Sequence, residues 1–453
     1  MWIERKETKQ NFINNLLSLK NQVLIVRGAR QVGKTSFILN ALAELKQYPQ
    51  LKLNLLYPSS INLDGMEYFG RDFFGQAETG EEFIKNIELE IGAPKNLGYP
   101  VLVFIDEADR YPKSLEAIQT LATQSDKIKF IFTGSNLENI KVINAATGRK
   151  KYFDLFPIMF KEFLEAQTNS KFSTYLDQIS LDHLEITEYL HHQLTEQLNT
   201  YLRLGGMPKI LDTYLDPNLD TKQIPNIIKD LAVSIEENIK TVLDNKSMLY
   251  EYEDVLRKIA NLSMNTLKFT QLQVQHAGRS EAKKLINKTV GARVAHKIRL
   301  LESEKDLSKY IIFDCGIANY LLSGSDLLKT KINEKNLAIL YETFVGSQLI
   351  TQLVTRDDLF YWKSGNRAEV EFLLRSPFIG IDVKSNKGNL KSLNSLAIVE
   401  ENLSCIVKIS NEMPKIDFDH MAFLPNFDKK RKIPLLTIPH YLTHKLIDIT
   451  HEL

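Results

Sequence analysis

The run Gly28-Ala29-Arg30-Gln31-Val32-Gly33-Lys34-Thr35 repeats the pattern G-x-x-x-x-G-K-[ST], with Ser36 directly after it. Each fixed position has a chemical reason. Glycines let backbone N–H groups turn inward around phosphate oxygens, and a helix opening at Lys34 adds positive potential at its N-terminus. The Lys34 ammonium can reach the β- and γ-phosphates, and the Thr35 hydroxyl can ligate Mg²⁺. The bland alternative is an ordinary glycine turn between a strand and a helix. A second motif weighs against it.

That motif is Val101-Leu102-Val103-Phe104-Ile105-Asp106-Glu107, an apolar strand that delivers two acids at its C-terminal end. Asp106 is the expected Mg²⁺ ligand, and Glu107 the general base that polarises an attacking water. Acids that merely cap the strand end are the structural alternative. The next apolar strand ends in Thr133-Gly134-Ser135-Asn136, where Ser135 or Asn136 could sense the γ-phosphate. Arg149 follows that strand and could bring positive charge to phosphate within the chain or from a neighbour. Beside Lys150 and Lys151, it reads equally as a solvated basic turn.

The elements that must position these groups follow from apolar periodicity. Helix near 8–20, strand from Gln22, helix from Lys34, strand ending at Asp106, helix over 113–124 and strand ending at Ser135 alternate in order. Alternation predicts a mostly parallel α/β sheet wound on both sides, with its strand ends gathered on one ligand-binding edge. From about 156 to 245 the pattern turns helical, broken by Gly205, Gly206 and Pro208. From 249 to 320, short helices surround a basic stretch and suit a helix-turn-helix or winged-helix unit. A second α/β region closes the chain.

Composition bounds the rest. A length of 453 residues is about three ordinary domains, and 43% apolar with 25% charged residues is ordinary for globular proteins. Lys plus Arg (57) nearly cancels Asp plus Glu (56), so overall charge argues for no nucleic-acid or membrane partner. Two isolated cysteines, Cys315 and Cys405, exclude a disulfide framework and suit a reducing cytoplasm. The N-terminus lacks a secretory apolar core, and no run is long enough to span a membrane, so a soluble cytoplasmic protein is expected.

With the two nucleotide motifs, the chain carries TGSN at 133–136, ATGR at 146–149, LFPIMFKEFL at 155–164, YLRLGGMPK at 201–209 and YIIFDCGIANYLL at 310–322. AEVEF and IDVKS follow. In this order and spacing the chain resembles prokaryotic AAA-superfamily ATPases of the signal-transducing P-loop branch that carry a C-terminal domain of unknown function. The resemblance implies an ATPase core over 1–155, a helical lid over 156–245, a winged-helix-like segment over 246–322 and a nuclease-like domain over 323–453. It also implies that Pro208, in Gly206-Met207-Pro208, lies beside the nucleotide base.

In the last domain Glu342, Glu371, Asp382 and Lys384 resemble the PD-(D/E)xK nuclease arrangement, in which converging carboxylates bind Mg²⁺ and a lysine orients water. Period-two geometry sets Asp382 and Lys384 on one face of their strand. Glu371 stands where aspartate is usual and Asp382 where glutamate is more usual, each shifting its oxygens by one methylene. Active nuclease chemistry and a retained fold used for binding are both open readings. Arg279, Lys283, Lys284, Lys288, Arg293, Lys297 and Arg299 form a local basic cluster that could meet DNA phosphates or could simply be solvated.

The expected function is an ATP- and Mg²⁺-dependent ATPase working as a nucleotide-driven switch. The rivals are an ATP-regulated, Mg²⁺-dependent DNA nuclease and a non-catalytic DNA- or protein-binding scaffold. ATP is the expected ligand, with DNA and a protein partner or second copy as further candidates.

Overall fold

A computed structural model describes residues 3–77, 79–92, 98–139, 148–167, 171–241, 252–263, 265–272, 279–303, 307–324, 331–365, 368–385, 388–424 and 428–453. The expected boundary at 245/246, residues 146–147 of ATGR and residues 276–278 of the basic stretch lie outside the described residues.

The strands of the first region are β1 (Val23–Arg27), β2 (Gln50–Asn54), a small hairpin of β3 (Ile61–Leu63) and β4 (Met66–Tyr68), β5 (Val101–Asp106), β6 (Ile128–Thr133) and β7 (Lys150–Asp154). All but the hairpin form one parallel sheet in the order β2-β5-β6-β1-β7. Sequence alternation explains why it is covered on both faces. Val23, Ile25, Val101, Val103 and Ile105 enter one core with Phe83 and Ile87 of the helix Gly80–Ile91. Leu24, Val26, Leu102 and Phe104 enter the opposite core with Phe12 and Phe37 of the helices Lys6–Leu17 and Lys34–Glu44. Parallel strands make all C-terminal ends share one edge, which brings 28, 106 and 134 together.

Helices Phe160–Ala166, Lys171–Asp177, Glu188–Leu204, Pro208–Leu215 and Ile224–Lys240 follow. Gly205, at φ +73°, ends the long helix, and Pro208 starts the next at its first turn, where its missing N–H costs nothing. Helices Tyr252–Asn261 and Arg279–Gly291 then lead into the antiparallel hairpin β8 (Ala295–Leu300) and β9 (Ser308–Ile312).

The closing region has the helix Glu334–Gln352, the antiparallel strands β10 (Leu359–Ser364), β11 (Ala368–Arg375) and β12 (Phe378–Val383), the helix Lys391–Val399, and β13 (Cys405–Ile409). Strands β14 (Lys415–Asp417), a hairpin of β15 (Met421–Leu424) and β16 (Lys429–Lys432), and β17 (Leu435–Ile438) complete it. Its mixed sheet runs β14-β17-β13-β12-β11-β10-β8-β9.

That order corrects the expected division at 322/323. Strand β8 pairs in parallel with β10, Phe360 opposite Arg299, so the hairpin before the boundary is part of the sheet after it. The apolar core is also shared: Phe160 and Tyr201 of the helical region each stand 5.9 Å from Phe344 in edge-on ring contacts. Among the described residues, no helix is long and apolar enough to cross a membrane.

Candidate nucleotide site

The loop between β1 and its helix is shaped by positions that reject ordinary side chains. A Cβ on Gly28 would stand 2.4 Å from the Leu155 carbonyl oxygen, so only glycine fits. Gln31 at φ +63° and Gly33 at φ +88° turn the chain so that the helix starts at Lys34. The first-turn amides of such a helix have no intrahelical acceptor. Below the loop, Arg27 is held by both oxygens of Asp154 at 2.8 and 2.6 Å and by Glu138 at 2.5 Å.

Lys34 is buried, and its ammonium donates to the carbonyl oxygens of Gly28 at 3.0 Å and Ala29 at 2.9 Å. Burial lowers its pKa to about 8, although the charges of Glu107, Asp106 and Asp109 pull the other way. The Thr35 hydroxyl donates to Asp106 Oδ2 at 2.9 Å, and the Glu107 amide donates to Asp106 Oδ1 at 2.9 Å. Asp106 is 3% exposed, and burial, followed by repulsion from Glu107, raises its pKa to about 6.

Two cis ligands of an octahedral Mg²⁺ stand about 3 Å apart when their bonds are about 2.1 Å. The Thr35 and Asp106 oxygens therefore fit a small hard cation that takes its other ligands from phosphate and water. Glu107 has the left-handed backbone, φ +53°, that a non-glycine residue adopts only under local constraint. Burial and then Asp109 raise its pKa, and Arg110 Nε lies 3.8 Å from Glu107 Oε2.

Ser135 and Asn136 are both buried at the same sheet edge, after β6. The Asn136 side-chain amide donates to the Asn238 carbonyl at 3.1 Å and to Asn238 Oδ1 at 3.0 Å, on the helix Ile224–Lys240. Ser234 of that helix accepts from Arg30 Nε at 2.9 Å and Gln31 Nε2 at 2.8 Å. One helix thus touches both the glycine loop and the end of β6.

Pro208 is 3.4 Å from where a Gly33 Cβ would stand. A cavity of about 280 Å³ opens between them, walled by Ile3, Val32, Phe37, Ile158 and Pro208 with Arg5 and Asp212 at its polar parts. Arg5 is fixed there by Glu162, at 2.9 Å from both Nε and Nη2, and by the Phe156 carbonyl at 2.9 Å. A larger cleft of about 600 Å³ lies between the first helix and the C-terminal helices. Mixed charges line it, and none of the loop residues 28–36 does.

Arg149 corrects an expectation. Its carbonyl accepts from Val23 N at 2.9 Å, at the start of β1 and on the sheet edge opposite the loop. Five strand residues separate that edge from Gly28, about 16 Å, which is beyond the reach of an arginine side chain. Arg149 is therefore not a phosphate contact within its own chain.

The C-terminal residues also converge. Glu342 and Asp382 are buried, at 4% and 0% exposure. Lys384 Nζ lies 2.7 Å from Asp382 Oδ1 and 3.7 Å from Glu371 Oε1, and the Val383 amide donates to Glu371 Oε2 at 3.3 Å. Burial and then Glu371 raise the Glu342 pKa to about 8. Burial and then the Asp382 carboxyl raise that of Glu371 well above the carboxylate range. Among the described residues, no three Asp, Glu, His or Cys side chains are grouped so that they could hold a metal ion. An ammonium stands between the acids instead.

Residues 20–164 match the AAA domain family. Residues 338–425 match a second family model, a domain of unknown function, DUF4143. An uncharacterised protein of Haemophilus influenzae is 21% identical over 247 residues, 52% of this chain and 54% of its own length. The chain spans about half the length of the curated relative that it matches. Two solved structures are similar in part. The Pif1 helicase from Candida albicans is 15% identical with a TM-score of 0.26, over 43% of this chain and 47% of the helicase. PCH-2 of C. elegans is 14% identical with a TM-score of 0.27, over 51% of this chain and 63% of PCH-2. Likenesses of that size carry no conclusion about this chain.

The matched AAA domain contains residues 28–36, Asp106, Glu107, Ser135, Asn136 and Arg149, and all but Arg149 gather at one sheet edge. Sequence reasoning missed Arg5, Ser234 and Asn238 because their partners lie far along the chain. It also missed Lys309, a buried lysine on β9 whose ammonium lies 2.5 Å from Glu369. A lysine directly before the apolar run YIIFD was the available signal.

Proposed function

We propose that this chain binds ATP with Mg²⁺ at residues 28–36 and hydrolyses it, acting as a nucleotide-driven switch. The observation that carries the reading is the 2.9 Å contact between Thr35 and Asp106, with the Lys34 ammonium on the adjacent loop carbonyls. Carbonyl oxygens hold an ammonium without neutralising it, so protonated Lys34 has its charge available for the β- and γ-phosphates. Thr35 and Asp106 would hold the Mg²⁺, which neutralises phosphate charge when bound. Glu107 accepts the proton of the attacking water, and its raised pKa brings it nearer the working pH of a general base. The purine packs in the cavity between Val32, Phe37 and Pro208.

The switch part of the reading rests on the helix Ile224–Lys240. Its Asn238 holds the Asn136 amide, and its Ser234 holds Arg30 and Gln31. A γ-phosphate that recruits Asn136 or Ser135 changes this helix's partners, which is how nucleotide state becomes movement. Two buried free thiols, Cys315 and Cys405, suit a reducing cytoplasm. The test is phosphate release by the full chain, compared with Lys34→Ala and Glu107→Gln. Loss in both variants, with ATP still bound by Glu107→Gln, supports the reading, and equal release in all three removes it.

A Mg²⁺-dependent nuclease in the C-terminal region is the second reading. Convergence of Glu342, Glu371, Asp382 and Lys384 favours it. The lysine between the acids weighs against it, as does the lack of a three-acid group among the described residues. DNA as a partner belongs to this reading. Plasmid degradation that is equal for the wild type, Asp382→Ala and Lys384→Ala removes it.

A further inference from the structure

The two charged centres are joined by one short hairpin. Arg293, directly before β8 and at φ +63°, is buried and reaches Glu138 at 2.6 Å and Asp154 at 3.3 Å. These are the acids that hold Arg27, the residue before Gly28. His296 on β8 is buried against the small space behind Gly28, Ala29 and Phe156. Directly after β9, Asp314 accepts from the Gly206 amide at 2.6 Å and caps the next helix through the Ile317 amide at 3.0 Å. Gly205 has no room for a side chain, because a Cβ would meet Asp314 Oδ1 at 2.2 Å. The two chain segments at the open end of the hairpin are thus fixed to the nucleotide side, one below the glycine loop and one at the Gly-Gly-Met-Pro turn.

The other end of the same hairpin face belongs to the C-terminal centre. His296 pairs with Ile311, and Ile298 pairs with Lys309, so His296 and Lys309 lie on one face, two residues apart along the strands. That spacing is about 7 Å. Lys309 is 3% exposed, its ammonium is 2.5 Å from Glu369, and the charges of Glu342, Glu369 and Glu371 act on it. Lys309 is buried and Glu369 half-buried, so drawing them apart leaves the buried ammonium with less compensation. The strand pairing thus links the contacts of Arg293 and Asp314 to that of Lys309.

We infer that the β8–β9 hairpin couples the phosphate loop to the C-terminal carboxylate cluster, so that nucleotide occupancy regulates the cluster through Lys309. The regulation rests on the nucleotide reading above; the mechanical link does not. Thermodynamic linkage makes such a coupling reciprocal, so perturbing either end must alter the other.

The experiment is amide hydrogen exchange on the full chain for the wild type, Arg293→Met and Lys309→Met, each with and without a non-hydrolysable ATP analogue and Mg²⁺. The helix Gly80–Ile91, on the far face of the parallel sheet, serves as the reference for global loosening. The expected result is an exchange change of about fivefold or more over 368–383 in Arg293→Met and over 28–36 in Lys309→Met, with the reference helix unchanged. Lys309→Arg, which keeps the charge, restores the wild-type pattern. The analogue protects 28–36 and changes 368–383 in the wild type. Changes confined to each substitution's own neighbourhood overturn the link. Protection of 28–36 without any response over 368–383 overturns the regulation. Absence of protection at 28–36 sinks the nucleotide reading and the regulation with it, while the cross-effects of the two substitutions still decide the link.

Discussion

The glycine loop presents one buried lysine near acids, Lys34, and the C-terminal cluster presents two lysines, the buried Lys309 and the half-buried Lys384, held by different partners. Lys34 lies on the carbonyls of Gly28 and Ala29, with Asp106 and Glu107 acting on it only through their charge. Lys384 is in direct contact with Asp382, and Lys309 with Glu369. A lysine on carbonyls keeps its charge available for an anion, whereas a lysine on carboxylates is already neutralised. Residue type alone does not separate a site that waits for phosphate from a cluster that satisfies itself; the partner atoms do.

The sharpest way to break that contrast is at the acids. Glu107→Gln is expected to slow ATP turnover by about 10²–10⁴-fold while binding persists, as measured by phosphate release and equilibrium titration. Loss of binding instead would make Glu107 a structural acid like those of the C-terminal cluster. Next comes the same substitution in both centres. Lys384→Met leaves the buried Asp382 without its ion-pair partner and is expected to cost about 3 kcal/mol in denaturant unfolding. Lys34→Met leaves two carbonyls and is expected to cost about 1 kcal/mol. Equal losses would erase the distinction.

Gly33→Ala forces a Cβ into a left-handed position and is expected to lower stability by about 1–2 kcal/mol, weakening ATP binding with it. A variant that unfolds and binds like the wild type would show that the loop does not need this turn. A further effect is a pH dependence at His296, which burial holds neutral by lowering its pKa from 6.5 to about 4, with Asp154 partly offsetting. Asp154 and Arg293 line the same small space as His296. The unfolded state binds the proton more tightly, so the wild type loses stability as pH falls from 6.5 through about 4. His296→Phe removes that contribution and makes the slope shallower, which melting curves at several pH values would register; parallel curves would contradict it.

How much of this was legible follows from chain distance. Residues 28–36 form a contiguous run, and Asp106 with Glu107 ends an apolar strand, so parallel pairing alone brings them to one edge. Strands β2 and β7 escaped the reading because Gln50–Asn54 and Lys150–Asp154 carry polar residues at their outward positions at the sheet's two edges. Contacts such as Arg5 with Glu162, 157 residues apart, and Asn136 with Asn238, 102 apart, leave no local pattern. Residues 249–320 read in sequence as a helix-turn-helix or winged-helix unit, and only the pairing of β8 with β10 assigns its hairpin to the C-terminal sheet. Arg149 shows the opposite failure, since its motif is local but its strand begins at the wrong edge.

The central claim is that the loop around Lys34 is built for a triphosphate with its metal. Calorimetric titration of Mg²⁺-ATP into the full chain and into Lys34→Met tests it most directly. The wild type is expected to bind one equivalent, with affinity falling about 10–100-fold when the ammonium is removed. A wild type that takes up no ATP, or a variant that binds as tightly, would contradict it.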